Sequence, residues 1–426
     1  MKKLTAFLIA CAMLIGAVPG LAKENAAIKR EIVLEKSLIE APRYVMPLKS
    51  ETTLFEDTLD ARISAAADAL REGMKKNAKN VTITIDYLDK YVDVDGLFES
   101  GEYVNFLYGI RDTIFSAALA HTGKPDEGDY IHWRTNDFQL APGINYDYEK
   151  GCYYAYFVFN IGTYYTTAGQ EAEVTERVAE VLESLDLEGD SDYMKIKKIY
   201  GWICENVVYD HENLYDDSYL LKYTAYAALI NGTSVCQGYA SLLYRMLLTC
   251  GIDCRLISGI GYSVGTSGAH AWNIVKLGNR YYNLDPTWDA GEDEYSFFLL
   301  NNESFTGHYR DEEYETSAFN AEYPMAEENY IPTDDDLLKR IDAAHDYIGK
   351  IDAKMTNGDA AEIIVTILDE AVLKDKISCY YTENGAFRRA EASFSEDAVI
   401  FAVKKEDGGK IFIWDENLRP VTYALK

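Results

Sequence analysis

A chain of 426 residues carries 70 acidic against 41 basic side chains, a formal charge of −29. Coulomb repulsion from that excess argues against nucleic acid and anionic lipid as partners and says nothing about fold. A chain of this length exceeds what one hydrophobic core usually serves, so two or three domains are expected.

The N-terminus reads MKK, then LTAFLIACAMLIGAVPG, then Gly20, Leu21 and Ala22 before the charged pair Lys23-Glu24. Charge, apolar stretch and small residues in that order predict a secretory signal over residues 1–22, hence a secreted or cell-surface protein. Leu8-Ile9-Ala10-Cys11 has the residue types of a lipoprotein signal, but the apolar stretch runs well past Cys11 instead of ending there. No later run approaches the ~18 uncharged apolar residues of a membrane span. Without residues 1–22 the chain keeps 39 basic and 70 acidic residues, net −31, and six cysteines at 152, 204, 236, 250, 254 and 379. Their irregular spacing is neither a dense disulfide scaffold nor a CxxC zinc site, although Cys250 and Cys254, flanking Gly251, leave a bridge open.

Residues 23–50 lack periodicity. Leu59, Ile63, Ala66, Ala67 and Leu70 recur at three and four and predict a helix to Met74. VTITIDYL (81–88) alternates as a strand, EYVNFLYGIRDTIFSAALA reads as a helix, and CYYAYFVFNIGTYYTT (152–167) as a strand pair. YVDVDGLFESGE (91–102) has acids at three positions of a calcium loop, but Tyr91 stands where the first acid belongs, so a solvated turn is expected and no metal. The 34 tyrosines follow strand propensity. QEAEVTERVAEVLESLDL and SDYMKIKKIYGWICENVVYD are helical, the second opening on a Ser-Asp cap. After SVCQGYASLLYRMLL come three strand-like runs, RLISGIGYSV, AWNIVKL and RYYNLDPTW. Beyond Pro332, TDDDLLKRIDAAHDYIGKI predicts a helix, followed by strands at EIIVTIL, ISCYYT, AVIFAVKK and KIFIWD. The division expected is an α+β N-terminal domain at 23–170, a catalytic domain at 171–330 and a small C-terminal α/β module at 331–426.

Cys236 opens an apolar helix. Aligned peptide dipoles and unpaired N–H groups at a helix N-terminus stabilise a thiolate and hold an oxyanion. Taken singly, a cysteine there is as readily a packing residue. The segment GAHAWNIVKLGNRYYNLDPTWD changes that reading, because it sets His270 near the start of one strand and Asp285 near the end of the next. A hairpin turn centred between Leu277 and Gly278 places the two directly opposite. A turn at Gly278-Asn279 places them diagonally on one face, while the intermediate register sends them to opposite faces. Either of the first two lets the carboxylate orient the imidazole. The resulting hypothesis is a triad with Cys236 as nucleophile, His270 as base and then acid, and Asp285 fixing the ring tautomer.

VCQGYASLLYRMLLTCGIDCRLISG, then HAWNIV, then YYNLDPTWD, resembles the core of the transglutaminase-like superfamily. The resemblance implies a papain-like α+β fold, in which helices pack on an antiparallel sheet, and a Cys, His, Asp triad in that chain order. Cys236, His270 and the aspartate of DPTW, Asp285, match it. It covers about 190–290 and leaves both flanking domains outside. It also implies a second oxyanion donor from an upstream aromatic or polar side chain, for which Tyr226 and Gln237 are the candidates. Trp272, two residues after His270 on the same strand face, is placed to wall the cleft.

The chemistry implied is acyl transfer through a thioester, with no cofactor. Hydrolysis of protein or peptide amides, cell-wall peptides among them, is favoured over amine-accepting cross-linking, because a cross-linker must keep water from the thioester. The competing class is a non-catalytic surface binding protein.

Overall fold

A computed structural model describes residues 57–263, 266–292, 295–333 and 336, and the backbone of six strands between 364 and 424. The expected signal segment and the helix expected after Pro332 lie outside the described residues. Two compact units divide the chain, one from Met1–Arg177 with Tyr209–Thr249, the other from Val178–Val208 with Cys250–Lys426.

In the first unit, helix α1 (Leu59–Lys75) starts at an N-cap where Thr58 accepts from the Ala61 amide. It buries Ala66, Ala67, Leu70 and Met74. These pack with Ile110, Ile114 and Phe115 of α3 (Tyr103–Ala118) in one hydrophobic cluster. Between them, Asp93 caps α2 (Val94–Ser100) and Gly101 closes it in the left-handed region. The acids read as a solvated turn therefore belong to a short capped helix.

The tyrosine-rich run is one strand, not two. β3 (Cys152–Tyr164) lies between β1 (Asn80–Ile85) and β2 (Thr135–Asp147) in an antiparallel sheet of order β1-β3-β2. β2 eluded the sequence because TNDFQLAPGINYD contains Pro142 and Gly143, both poor strand formers. Pro142 is tolerated there because β2 is an edge. Phe157 and Phe159 of the central strand are fully buried against the helices' apolar faces.

The first unit continues through α4 (Asp129–Trp133) and the start of α5 (Ala168–Ser184), which runs past the division at Arg177, and it ends in α7 (Cys236–Thr249); the two-residue strands β4 (Val208–Tyr209) and β5 (Thr233–Ser234) precede α7. Every residue of α7 from Gln237 to Leu248 is buried, which matches its all-round apolar sequence. Its polar groups tie it down. Tyr244 donates to the Glu127 carbonyl (3.1 Å), and Arg245 donates to Thr175 Oγ1 (2.8 Å) with its guanidinium over the Tyr130 ring.

In the second unit, Ser191 caps α6 (Asp192–Asn206), accepting from the Met194 amide. β6 (Cys254–Ser263), β7 (Thr266–Leu277), β8 (Arg280–Leu284) and the three-residue β9 (His308–Arg310) form an antiparallel sheet of order β8-β7-β6-β9. Ile257, Trp272, Ile274, Tyr281, Phe305, Tyr314 and Tyr323 make its buried cluster. Ile364–Ile367, Lys376–Glu383, Ala386–Ser393, Phe401–Lys405, Lys410–Trp414 and Pro420–Ala424 follow as a six-stranded antiparallel meander. The strands at 386–393 and 420–424 were not expected, the first being charged and the second opening on a proline.

Mixed helices with antiparallel sheets make the chain α+β. No helix among the described residues is long and apolar enough to cross a membrane.

Candidate active site

Cys236 belongs to the first unit, and its local frame is held by a buried lysine. Lys222, wholly buried, donates Nζ to the carbonyls of Asn213 (2.6 Å), Leu214 (3.1 Å) and Asp216 (2.8 Å). Its own carbonyl accepts from Ser234 Oγ (2.6 Å) and the Val235 amide (3.1 Å), the two residues before the cysteine. Gly238 is required by the same packing, since a methyl there would overlap Ser234 Oγ and the Thr224 carbonyl. Cys236 thus opens α7 as a partly exposed thiol at the start of an otherwise buried helix.

Both oxyanion candidates already carry side-chain hydrogen bonds. Gln237 is buried and donates Nε2 to the Trp133 carbonyl (2.7 Å). The Tyr226 hydroxyl bonds Glu173 and Gln170 of α5, and the Glu173 contact holds it above the ordinary tyrosine value. Neither side chain is assigned as a donor. The backbone N–H groups opening α7 are what the helix itself supplies.

In the second unit, the β7–β8 hairpin pairs Leu277 with Arg280 and Asn273 with Leu284, a two-residue turn at Gly278-Asn279. Of the registers considered, this is the diagonal one. His270 and Asp285 fall on one face, with His270 Nε2 2.7 Å from Asp285 Oδ2. Asp285 is completely buried, and its Oδ1 accepts from the amides of Thr287 (2.9 Å) and Trp288 (3.4 Å). Burial alone would raise its carboxyl. The opposing charge and hydrogen bonds of His270 and His308 outweigh burial and hold it well below the usual carboxylate range.

His308 escaped the sequence reading. Its Nε2 stands 2.9 Å from the same Asp285 Oδ2. β7 and β9 are separated by β6, a backbone span of about 9.5 Å. The rings nevertheless lie 5.3 Å apart, because β6 presents Gly259 opposite His270 and Gly261 opposite His308 and so puts no side chain between them. A methyl on Gly261 would press on the His270 Cβ and Cγ. The signal available was the SGIGYS pair of glycines two apart. The three-residue His-Tyr-Arg strand was too short to show alternation.

DPTWD also carries a second carboxylate. Asp289 accepts from the Tyr200 hydroxyl of α6 (2.6 Å) and from the amides of Ser296 (2.8 Å) and Phe297 (2.9 Å). Cys204, one turn along α6, donates its thiol to the Pro286 carbonyl (3.6 Å). The loop that begins at Asp285 is therefore clamped to α6 from two points. Trp272, expected on a cleft wall, is only 1 % exposed and is a core aromatic beside His270.

Among the described residues, His270, Asp285 and His308 are the grouping whose donor atoms approach closely enough, within 4.8 Å, to suggest a cation. Their separations of 2.7 and 2.9 Å are those of hydrogen bonds. Donors around a tetrahedral metal sit about 3.3 Å apart.

Residues 179–286 match the Transglutaminase-like superfamily. The chain carries a transglutaminase-like core. Similar proteins include the kyphoscoliosis peptidases of Mus musculus, 32% identical over 133 residues, and of Homo sapiens, 32% identical over 121 residues. The first alignment covers 29% of this chain and 20% of the mouse protein, the second 26% and 18% of the human one. The chain thus matches about a fifth of the length of these curated relatives. Among solved structures, a crystal structure of a TGase aligns at TM-score 0.27 and 17% identity, over 38% of this chain and 46% of that one.

Cys250 and Cys254, left open as a bridge, both stand as thiols. Burial pushes Cys204 and Cys250 up, so both are poor thiolates. Near neutral pH, iodoacetamide should label Cys236 at least ~10-fold faster than Cys204 or Cys250. Peptide mapping by mass spectrometry measures this, and equal rates would remove the case for an activated thiolate.

Proposed function

We propose that the protein is an exported thiol-dependent amide hydrolase, a cysteine peptidase or amidase acting on proteins or peptides, cell-wall peptides among them. The observation that carries this reading is the buried His270–Asp285 pair, with Nε2 held at 2.7 Å on a carboxylate that stays ionised. Fixing Nε2 on the acid leaves Nδ1 as the nitrogen for proton transfer. In the first half-reaction the Cys236 thiolate forms a C–S bond to the amide carbonyl. His270 then gives its proton to the nitrogen as the C–N bond breaks, and a thioester remains. In the second, His270 takes a proton from water, whose oxygen attacks the thioester and releases acid and thiol. The peptidase names of the mouse and human relatives agree with hydrolysis, for the fifth of their length that aligns. Export rests on the residue order at 1–22.

An amine in place of water would make the same thioester a cross-link. Incubating the protein with casein and a fluorescent primary amine separates the two acceptors. Release of acid-soluble peptides with no fluorescence on casein is expected, and labelled casein without cleavage would make the enzyme a transferase.

A further inference from the structure

The His308 side chain is fully buried, and both of its nitrogens meet acceptors. Nε2 faces Asp285 Oδ2 at 2.9 Å and Nδ1 faces the Thr306 carbonyl at 3.1 Å. A carboxylate and a carbonyl only accept, so only the doubly protonated ring donates to both. The surrounding rings suit a cation. Phe305 stacks on it with centroids 3.9 Å apart, Trp288 lies at 4.2 Å, Trp272 at 5.1 Å and Phe297 at 5.4 Å, all within the ~6 Å over which aromatic faces attract positive charge. Asp285 Oδ2 therefore receives two donors, and its negative charge is divided between His270 and His308.

We propose that His308 is a positioning residue that acts through Asp285, holding Oδ2 in place and offsetting its charge so that His270 meets a partly neutralised carboxylate. This rests on the reading of Cys236 and His270 as a working pair. Without the His308 charge, the whole of the Asp285 charge falls on His270, which then keeps its proton too firmly to pass it to a leaving amine. Among the described residues, His270 and His308 are the groups whose charge and hydrogen bonds lower the Asp285 carboxyl. Asp289, Tyr200 and Cys204 also act electrostatically on the carboxylate, and a carboxyl, a phenol and a thiol are neutral or negative in every protonation state, so none brings positive charge. Arg310, on the same strand as His308, donates its guanidinium to Asn283 and Asn302.

The test is the pH dependence of Cys236 alkylation by iodoacetate in the full chain, which needs no substrate. This anionic reagent reacts fastest while thiolate and His270 imidazolium coexist, and its rate falls as the imidazolium loses its proton. His308→Gln keeps a donor for Oδ2 but no charge, and should move the falling limb up by about one pH unit. In an Asp285→Asn background the same change should move it by less than about 0.3 unit, because no carboxylate is left to transmit it. An unmoved limb in His308→Gln, or an equal shift in both backgrounds, overturns the proposal. Near-UV circular dichroism reports whether each variant keeps its aromatic packing, and His308→Asn repeats the test if the longer amide does not pack. A falling limb that survives His270→Ala unchanged would overturn the Cys236–His270 pair itself. A normal wild-type limb with no His308 effect overturns the role of His308 alone.

Discussion

Cys236→Ala is expected to abolish casein cleavage, by ~10⁴-fold or more, while leaving the fold intact. The size of the loss follows from the proposed chemistry, since no other group forms the thioester and the imidazole has nothing to activate. The preservation of the fold follows from the position. Cys236 is a partly exposed residue at the start of α7, where alanine is an excellent helix former and little packing is lost. A thermal midpoint close to wild type together with lost cleavage is the expected pair of results. Cleavage that persists unchanged in the variant would remove Cys236 as the nucleophile and with it the thiol hydrolase.

Asp285→Ala should damage both activity and stability. The carboxylate is wholly buried and accepts from two imidazoles and two amides. Truncating it strands those donors in the interior, a loss of about 3–5 kcal/mol, or a midpoint lower by roughly 10 °C. Activity should fall ~10²–10⁴-fold as His270 loses its orientation. The acid side of the stability curve adds a signed check. The folded-state carboxyl lies below its ordinary 3.8, so it contributes stability that is fully present above that value and is lost as pH falls toward the folded value. Asp285→Asn removes the titration, so its stability should vary less with acidification than the wild type's. Identical acid unfolding of the two proteins would contradict the ion-paired carboxylate.

Much of this site is legible in the residues. The alternation of HAWNIVKL and RYYNL, with Gly278-Asn279 between them, restricts the hairpin to a few registers, and two of these put His270 and Asp285 on one face. The apolar run after Cys236 predicts a helix beginning at that residue, and α7 does begin there. What escaped depends on contacts between distant segments. β2 hides because an edge strand accommodates proline. Trp272 reads as a cleft wall from its spacing to His270, but the cluster contributed by Phe305, Tyr314 and Tyr323 encloses it. His308 is invisible to periodicity, and only the glycine-cleared face of β6 brings it to Asp285. Gln237 and Tyr226 look like available polar groups until the partners that occupy them, Trp133 and Glu173, are known.

The proposed hydrolase requires a Cys236 thiolate that owes its reactivity to the His270 imidazole. The direct measurement is the second-order rate of Cys236 alkylation by iodoacetamide at pH 6.5, in the wild type and in His270→Ala, with Cys204 and Cys250 as internal standards. A fall of ~10²-fold at Cys236 in the variant, with no change at the standards, is the expected result. Equal Cys236 rates in the two proteins would contradict it.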